Sequence, residues 1–180
     1  MPFRRPIIFY SIFFLLAVGL NFIWESAHAG LYICPEPHTL LHLLWFSVKD
    51  ALWFLVIALC TAKINRQGWR YTIAGVLGLI VAAFTEYHAL ATGRWTYTSA
   101  MLTLPFWNLG LSPLLQMSLG LVLTLWLSRF IASHFNKVYT CRACGFSYAE
   151  KKWAAQCEAW CREHHSCNTD IIKHALPPTS

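Results

Sequence analysis

Charge is scarce in this chain. Only 12% of its 180 residues are Asp, Glu, Lys or Arg, about half the charged share of an ordinary soluble domain, and that scarcity excludes a conventional water-exposed surface. Its apolar stretches also lack the ten-residue alternation of a barrel strand, which excludes a membrane β-barrel. Acidic residues are fewest, eight Asp and Glu against fourteen Lys and Arg, for a net charge of +6. The excess flanks the apolar stretches, so it sets membrane topology and calls for no nucleic acid partner.

Hydrophobic residues make up 57% of the sequence, concentrated at about 7–28, 40–62, 72–92 and 110–132. Each run is close to the ~20 residues a helix needs to cross a bilayer, so four transmembrane helices are expected. Arg4 and Arg5 precede the first. Lys63, Arg66 and Arg70 fill the loop between the second and third, and Arg129, Lys137 and Arg142 follow the fourth. The loops 29–39 and 93–109 hold only Arg94. The bias of Lys and Arg to one side places both termini in the cytoplasm. The run Ile7–Leu20 after two arginines, with Ala27-His28-Ala29 beyond it, imitates a secretory signal peptide. Trp24 and Glu25 make a bulky approach to any cleavage site there, so the first span is expected to stay. Trp24, Tyr32, Trp69, Tyr71, Trp95, Tyr97 and Trp107 near span ends read as an interfacial aromatic belt.

After the fourth run come Cys141, Cys144, Cys157 and Cys161, spaced C-x2-C-x12-C-x3-C. In the reducing cytoplasm stable disulfides are disfavoured, which leaves metal binding or thiol chemistry. A knuckle at Cys141–Cys144 followed by Gly145 can turn two thiolates inward. The stretch 149–165 favours helix, with Cys157 and Cys161 one turn apart on one face. The pattern resembles the Cys2His2 zinc finger with cysteines in place of its histidines. Tyr139 and Tyr148 stand where those fingers keep aromatic residues, and Ala154 takes the place of their leucine. The resemblance implies a ββα module folded by Zn2+. An iron–sulfur cluster, a copper or mercury acceptor drawing on Cys167, His164 and His165, and a redox C-x-x-C pair are the alternatives. Glu158 and Glu163 mixed with Lys151, Lys152 and Arg162 argue against a DNA-reading helix.

Ionisable groups inside the spans are costly and mark function by default. Here they are Glu25 and His28 in the first span, Lys49 and Asp50 in the second, and Glu86 and His88 in the third. His38 and His42 open the second span, and Gln116 lies in the fourth. With the orientation above, Glu25, His28, Lys49, Asp50, Glu86, His88 and Gln116 share a layer from the membrane centre to its outer face. Lys49 and Asp50, as neighbours on a helix, are expected to point about 100° apart. The stretch Glu86-Tyr-His-Ala-Leu-Ala-Thr-Gly93-Arg-Trp95-Thr-Tyr97, with Gly110-Leu-Ser-Pro113 beyond it, resembles the lycopene-cyclase type of carotenoid-modifying membrane domain. In that family a proline-led acidic pair follows, whereas here Pro113 leads to Leu114, Leu115 and Gln116.

The expected fold is an all-α membrane protein. A four-transmembrane-helix domain spans 1–135, and a Cys-rich metal-binding module of zinc-finger-like ββα form spans 139–176. The leading functional expectation is handling of a divalent metal ion, by transport or sensing, at the carboxylate and histidine layer. The alternatives are a membrane-embedded enzyme on a lipid or isoprenoid, with Glu25 or Glu86 as proton donor, and an anchor that shows a zinc module to a cytosolic protein partner.

Overall fold

A computed structural model describes residues 6–34, 39–135 and 137–176. The chain divides into two compact units, Met1–Ala132 and Ser133–Ser180.

The first unit holds four helices long and apolar enough to cross a membrane. Helix α1 runs Pro6–His28, α2 runs Leu40–Cys60 and α3 runs Gln67–Ala91. The fourth begins as α4, Leu111–Leu115, passes through a π-turn at Gln116–Gly120 and continues as α5, Leu121–Phe135. Thr39 caps α2, its hydroxyl accepting from the His42 N–H at 3.3 Å. The third helix starts five residues before the expected 72. It takes in Arg70, whose guanidinium is buried and donates to the Ala58 carbonyl of α2 at 3.3 Å.

Helices α1 and α3 each bury a narrow stripe at helical spacing, four residues apart from Phe9 through Phe13 and Ala17 to Asn21 on α1, with His28 seven further on, and four apart from Ala74 through Gly78 and Ala82 to Glu86 on α3. Small side chains on such a stripe let backbones approach closely. Large apolar side chains point the other way, Ile7, Leu15 and Phe84 being at least 70% exposed. Hydroxyls inside the helices donate back to their own turns, as Ser47 does to Leu43, Thr124 to Gly120 and Ser128 to Thr124. These hydroxyls thus find partners without water.

The loops after α1 and α3 meet in a two-stranded antiparallel ladder. Strand β1, Tyr32–Ile33, pairs with β2, Thr96–Tyr97, in the register Tyr32 to Tyr97 and Ile33 to Thr96. The loop beyond β2 closes through a bridge between Thr103 and Gly110.

In the second unit, β3, Tyr139–Thr140, pairs antiparallel with β4, Ser147–Tyr148, and helix α6, Lys151–His164, packs on the hairpin. Gly145, at φ +78°, makes the left-handed knuckle that a side chain would strain. The module extends past the three elements of the finger pattern. Asn168 caps a short helix α7, Thr169–Ile172, after which Ala175 bridges to Tyr148 and the Leu176 N–H donates to the Ser147 carbonyl at 2.7 Å. His174 stacks on Trp153 with ring centroids 3.6 Å apart.

The tightest backbone approach in the first unit is at Gly78. A Cβ there would stand 2.1 Å from the Met117 carbonyl oxygen in the π-turn. Gly78→Ala must push the two helices apart, and overpacking of this kind costs about 3 kcal/mol. A marked fall in the thermal midpoint of the detergent-purified protein is expected, with Gly19→Ala, where a Cβ meets nothing within 4 Å, as the silent control.

Candidate functional site

The π-turn aims Gln116 at the first two helices. Its amide nitrogen lies 3.0 Å from Asn21 Oδ1, 2.9 Å from Glu25 Oε1 and 3.2 Å from Asp50 Oδ2. A primary amide has two hydrogens, so three oxygens compete for two donors. Glu25 turns its other oxygen to His28, whose Nε2 is 3.5 Å away, while His28 Nδ1 is buried without a partner. Asn21 sits one turn before Glu25 and anchors its own amide on the Ala17 carbonyl at 2.9 Å.

Glu86 occupies a second position. Tyr32 and Trp95 donate to it at 3.4 Å each, Tyr32 to one oxygen and Trp95 to the other, and Tyr97 donates to the oxygen shared with Trp95. Tyr97 in turn accepts from the Gly110 N–H at 2.9 Å. The β1–β2 ladder therefore carries two of the phenols that hold Glu86. Burial first, and then the Glu86 charge beside them, push both phenols above the ordinary tyrosine range, so both remain donors at physiological pH.

Most of these groups, though not Asn21 or Tyr97, line one cavity of about 90 Å³. Glu25, His28, Lys49, Asp50, Glu86 and Gln116 line it together with apolar side chains that include Leu43, Phe46 and Trp53. Of the seven residues singled out in the spans, six reach this wall. His88 does not: it is exposed on the opposite side of α3, its ring near Phe84. Two residues along from Glu86 it is turned by about 200°, so the two cannot share a face. His38 lies outside the described residues. Lys49 and Asp50 both border the cavity, because it is wide enough to take neighbouring positions of α2. Tyr32, Trp95 and Tyr97, expected as part of an interfacial belt, also hold Glu86. Their alternation with Glu86 across a loop carries no period that sequence reading could follow.

The second unit gathers the other candidate. The sulfur atoms of Cys141, Cys144, Cys157 and Cys161 all lie within 4.8 Å of one another. Cys144 and Cys157 are 3.4 Å apart, and Cys157 and Cys161 are 4.0 Å apart. Burial pushes the Cys157 thiol up to about 11, and four thiolates this close together would repel one another unless a cation joined them. Among the described residues this is the one group of His, Cys, Asp and Glu side chains close enough to hold a metal ion. Cys167 is exposed, His165 ends α6 in a left-handed turn and His164 stacks on Trp160. None of the three belongs to the cluster.

Comparison with protein-family models, with curated proteins and with solved structures finds no match to this chain. The two resemblances drawn from the sequence therefore rest on their motifs alone.

Gln116→Leu keeps the volume and removes the hydrogens that Asn21, Glu25 and Asp50 share. Leaving buried acceptors unpaired costs about 1–3 kcal/mol each. A clear loss of thermal stability is expected, and a thermal midpoint equal to wild type in the same detergent would contradict the role given to this amide.

Proposed function

We propose that the chain is a multi-pass integral membrane protein, both termini cytoplasmic, whose tail is folded by zinc and whose intramembrane cavity performs acid–base chemistry on a lipid-derived substrate. The observation that carries this reading is the composition of one cavity wall. Five ionisable side chains, Glu25, His28, Lys49, Asp50 and Glu86, share it with aromatic and aliphatic ones. A few placed polar groups in an otherwise apolar pocket suit an amphipathic ligand.

Within that wall Glu25 is the proposed proton donor. Glu86 is committed to three fixed donors, Tyr32, Trp95 and Tyr97. Glu25 instead shares one over-subscribed amide with Asp50 and stands against His28. His28, with its Nε2 3.5 Å from the Glu25 carboxyl, is the group that can return a proton once Glu25 has given it up. Handling of a divalent ion, the leading expectation from sequence, draws its support from the Glu25–His28 pair. It is the weaker reading, because His88 faces away and, among the described residues, the tail cysteines are the one group of three or more side chains close enough to hold a metal ion.

Zinc in the tail is supported by its sulfur spacing. Tetrahedral Zn–S bonds of about 2.3 Å set sulfurs about 3.8 Å apart, and the separations of 3.4 and 4.0 Å bracket that value. Cys141, Cys144, Cys157 and Cys161 would hold the ion, which would close a module of this size. Its mixed surface charge suits a cytosolic protein partner better than nucleic acid.

Two measurements on the full chain test the reading. The membrane lipids of cells making wild type or Glu25→Gln should differ by a product that falls on the order of a hundredfold in the variant, the usual scale for loss of a general acid. Identical lipid profiles would overturn the enzymatic reading. Metal content should be about one zinc per chain in wild type and none in Cys144→Ser/Cys157→Ser. A stoichiometric metal that survives in this double variant would point to an ion in the cavity and restore the metal-handling reading.

A further inference from the structure

Lys49 lies nine residues from Leu40 and eleven from Cys60, the ends of α2. At 1.5 Å per residue that is about 14 and 17 Å, beyond the reach of a lysine side chain extending toward either end to find water. Lys49 lines the cavity, and its ammonium sits 4.6 Å above the Phe46 ring. Among the described residues no carboxylate comes within ion-pair distance of it. The wall's acids are spoken for by other donors: Glu25 by His28 and Gln116, Asp50 by Gln116, and Glu86 by Tyr32, Trp95 and Tyr97. Lys49 therefore has three N–H donors and, among the described residues, an aromatic ring but no hydrogen-bond acceptor to receive them.

We propose that Lys49 anchors the head group of the cavity's ligand, and that this ligand is an uncharged lipid with a carbonyl head. The inference rests on the lipid-binding reading above and adds the ligand's chemistry. The wall already carries three carboxyl groups against one ammonium. An anionic head would gain Lys49 but meet Glu25, Asp50 and Glu86. A cationic head would be drawn to the acids but repelled by Lys49. A neutral carbonyl oxygen satisfies the ammonium and adds no charge. Leu43, Phe46 and Trp53 supply an apolar surface on the same helix for the chain that follows.

Four twelve-carbon probes that differ only in their heads test this: 2-dodecanone, dodecanoate, dodecylamine and dodecane. Binding to the full-length protein in nanodiscs is counted by native mass spectrometry. Wild type should hold the ketone at least tenfold more tightly than the alkane, and more tightly than the acid or the amine. In Lys49→Met the ketone's advantage over the alkane should vanish, while Lys49→Arg, which keeps a charged donor, should retain part of it. Stronger binding of acid or amine, or a ketone preference that survives Lys49→Met, would overturn the proposal. Equal binding of all four probes would sink the role of Lys49 and leave the lipid cavity standing. No binding of any would sink both. Should Lys49→Met fail to fold, the ranking of the four heads on wild type still decides.

Discussion

One amide group links three helices of the first unit. Gln116 is buried where α1, α2 and the fourth helix converge, and its two hydrogens serve Asn21, Glu25 and Asp50. Carboxyl oxygens set between apolar helices need donors from the protein itself. A regular fourth helix would put residue 116 on another heading. The π-turn inserts the extra residue that swings it inward, a use such turns often have near functional positions. That turn in turn needs room, and the missing side chain at Gly78 supplies it, since a Cβ would strike the Met117 carbonyl. The polar wall of the cavity thus depends on a bare backbone position on α3.

The four apolar helices were legible because length and hydropathy are properties of composition. The polar layer was legible because ionisable residues stand out against such a background. Side-chain direction was harder to read. His88 is as polar as His28 and as near a glutamate, yet one points out and the other in. The difference is spacing: Glu25 and His28 are three residues apart and share a helix face, while Glu86 and His88 are two apart and do not. Asn21 could have been found by the same rule, four residues before Glu25. The π-turn leaves no such mark. Gln116 through Gly120 reads as ordinary helix, and only contact with α3 makes the widened turn visible. Lys49 and Asp50, expected to point about 100° apart, have different partners, Gln116 for Asp50 and the Phe46 ring for Lys49, although both line one cavity.

In the second unit the cysteine spacing carried most of the information, because a knuckle and a helical turn leave few ways to bring four sulfurs together. The closing segment carried no such signature. Asn168 caps α7, Ala175 extends the hairpin edge at Tyr148 and His174 covers Trp153. These contacts give the small core of Cys141, Tyr148, Ala154 and Cys157 a further wall. The four cysteines lie close enough together to bind a metal ion, and a bound ion would add to the stability of so small a module.

The ladder between β1 and β2 ties the loops to the cavity. It is only two residues long on each side, too short to hold by backbone bonds alone. Its side chains supply the rest, since Tyr32 and Tyr97 are register partners that both donate to Glu86. The carboxylate therefore pins the ladder, and the ladder keeps the Tyr32 phenol at the cavity wall. Neutralising Glu86 would weaken both together, so a change in that one side chain reaches the loops as well as the wall. The two loops joined here follow α1 and α3, the helices that carry Glu25 and Glu86. Each glutamate is thus tied to its own loop or its own neighbours, and the shared ladder makes the loops a single cover over the space between them.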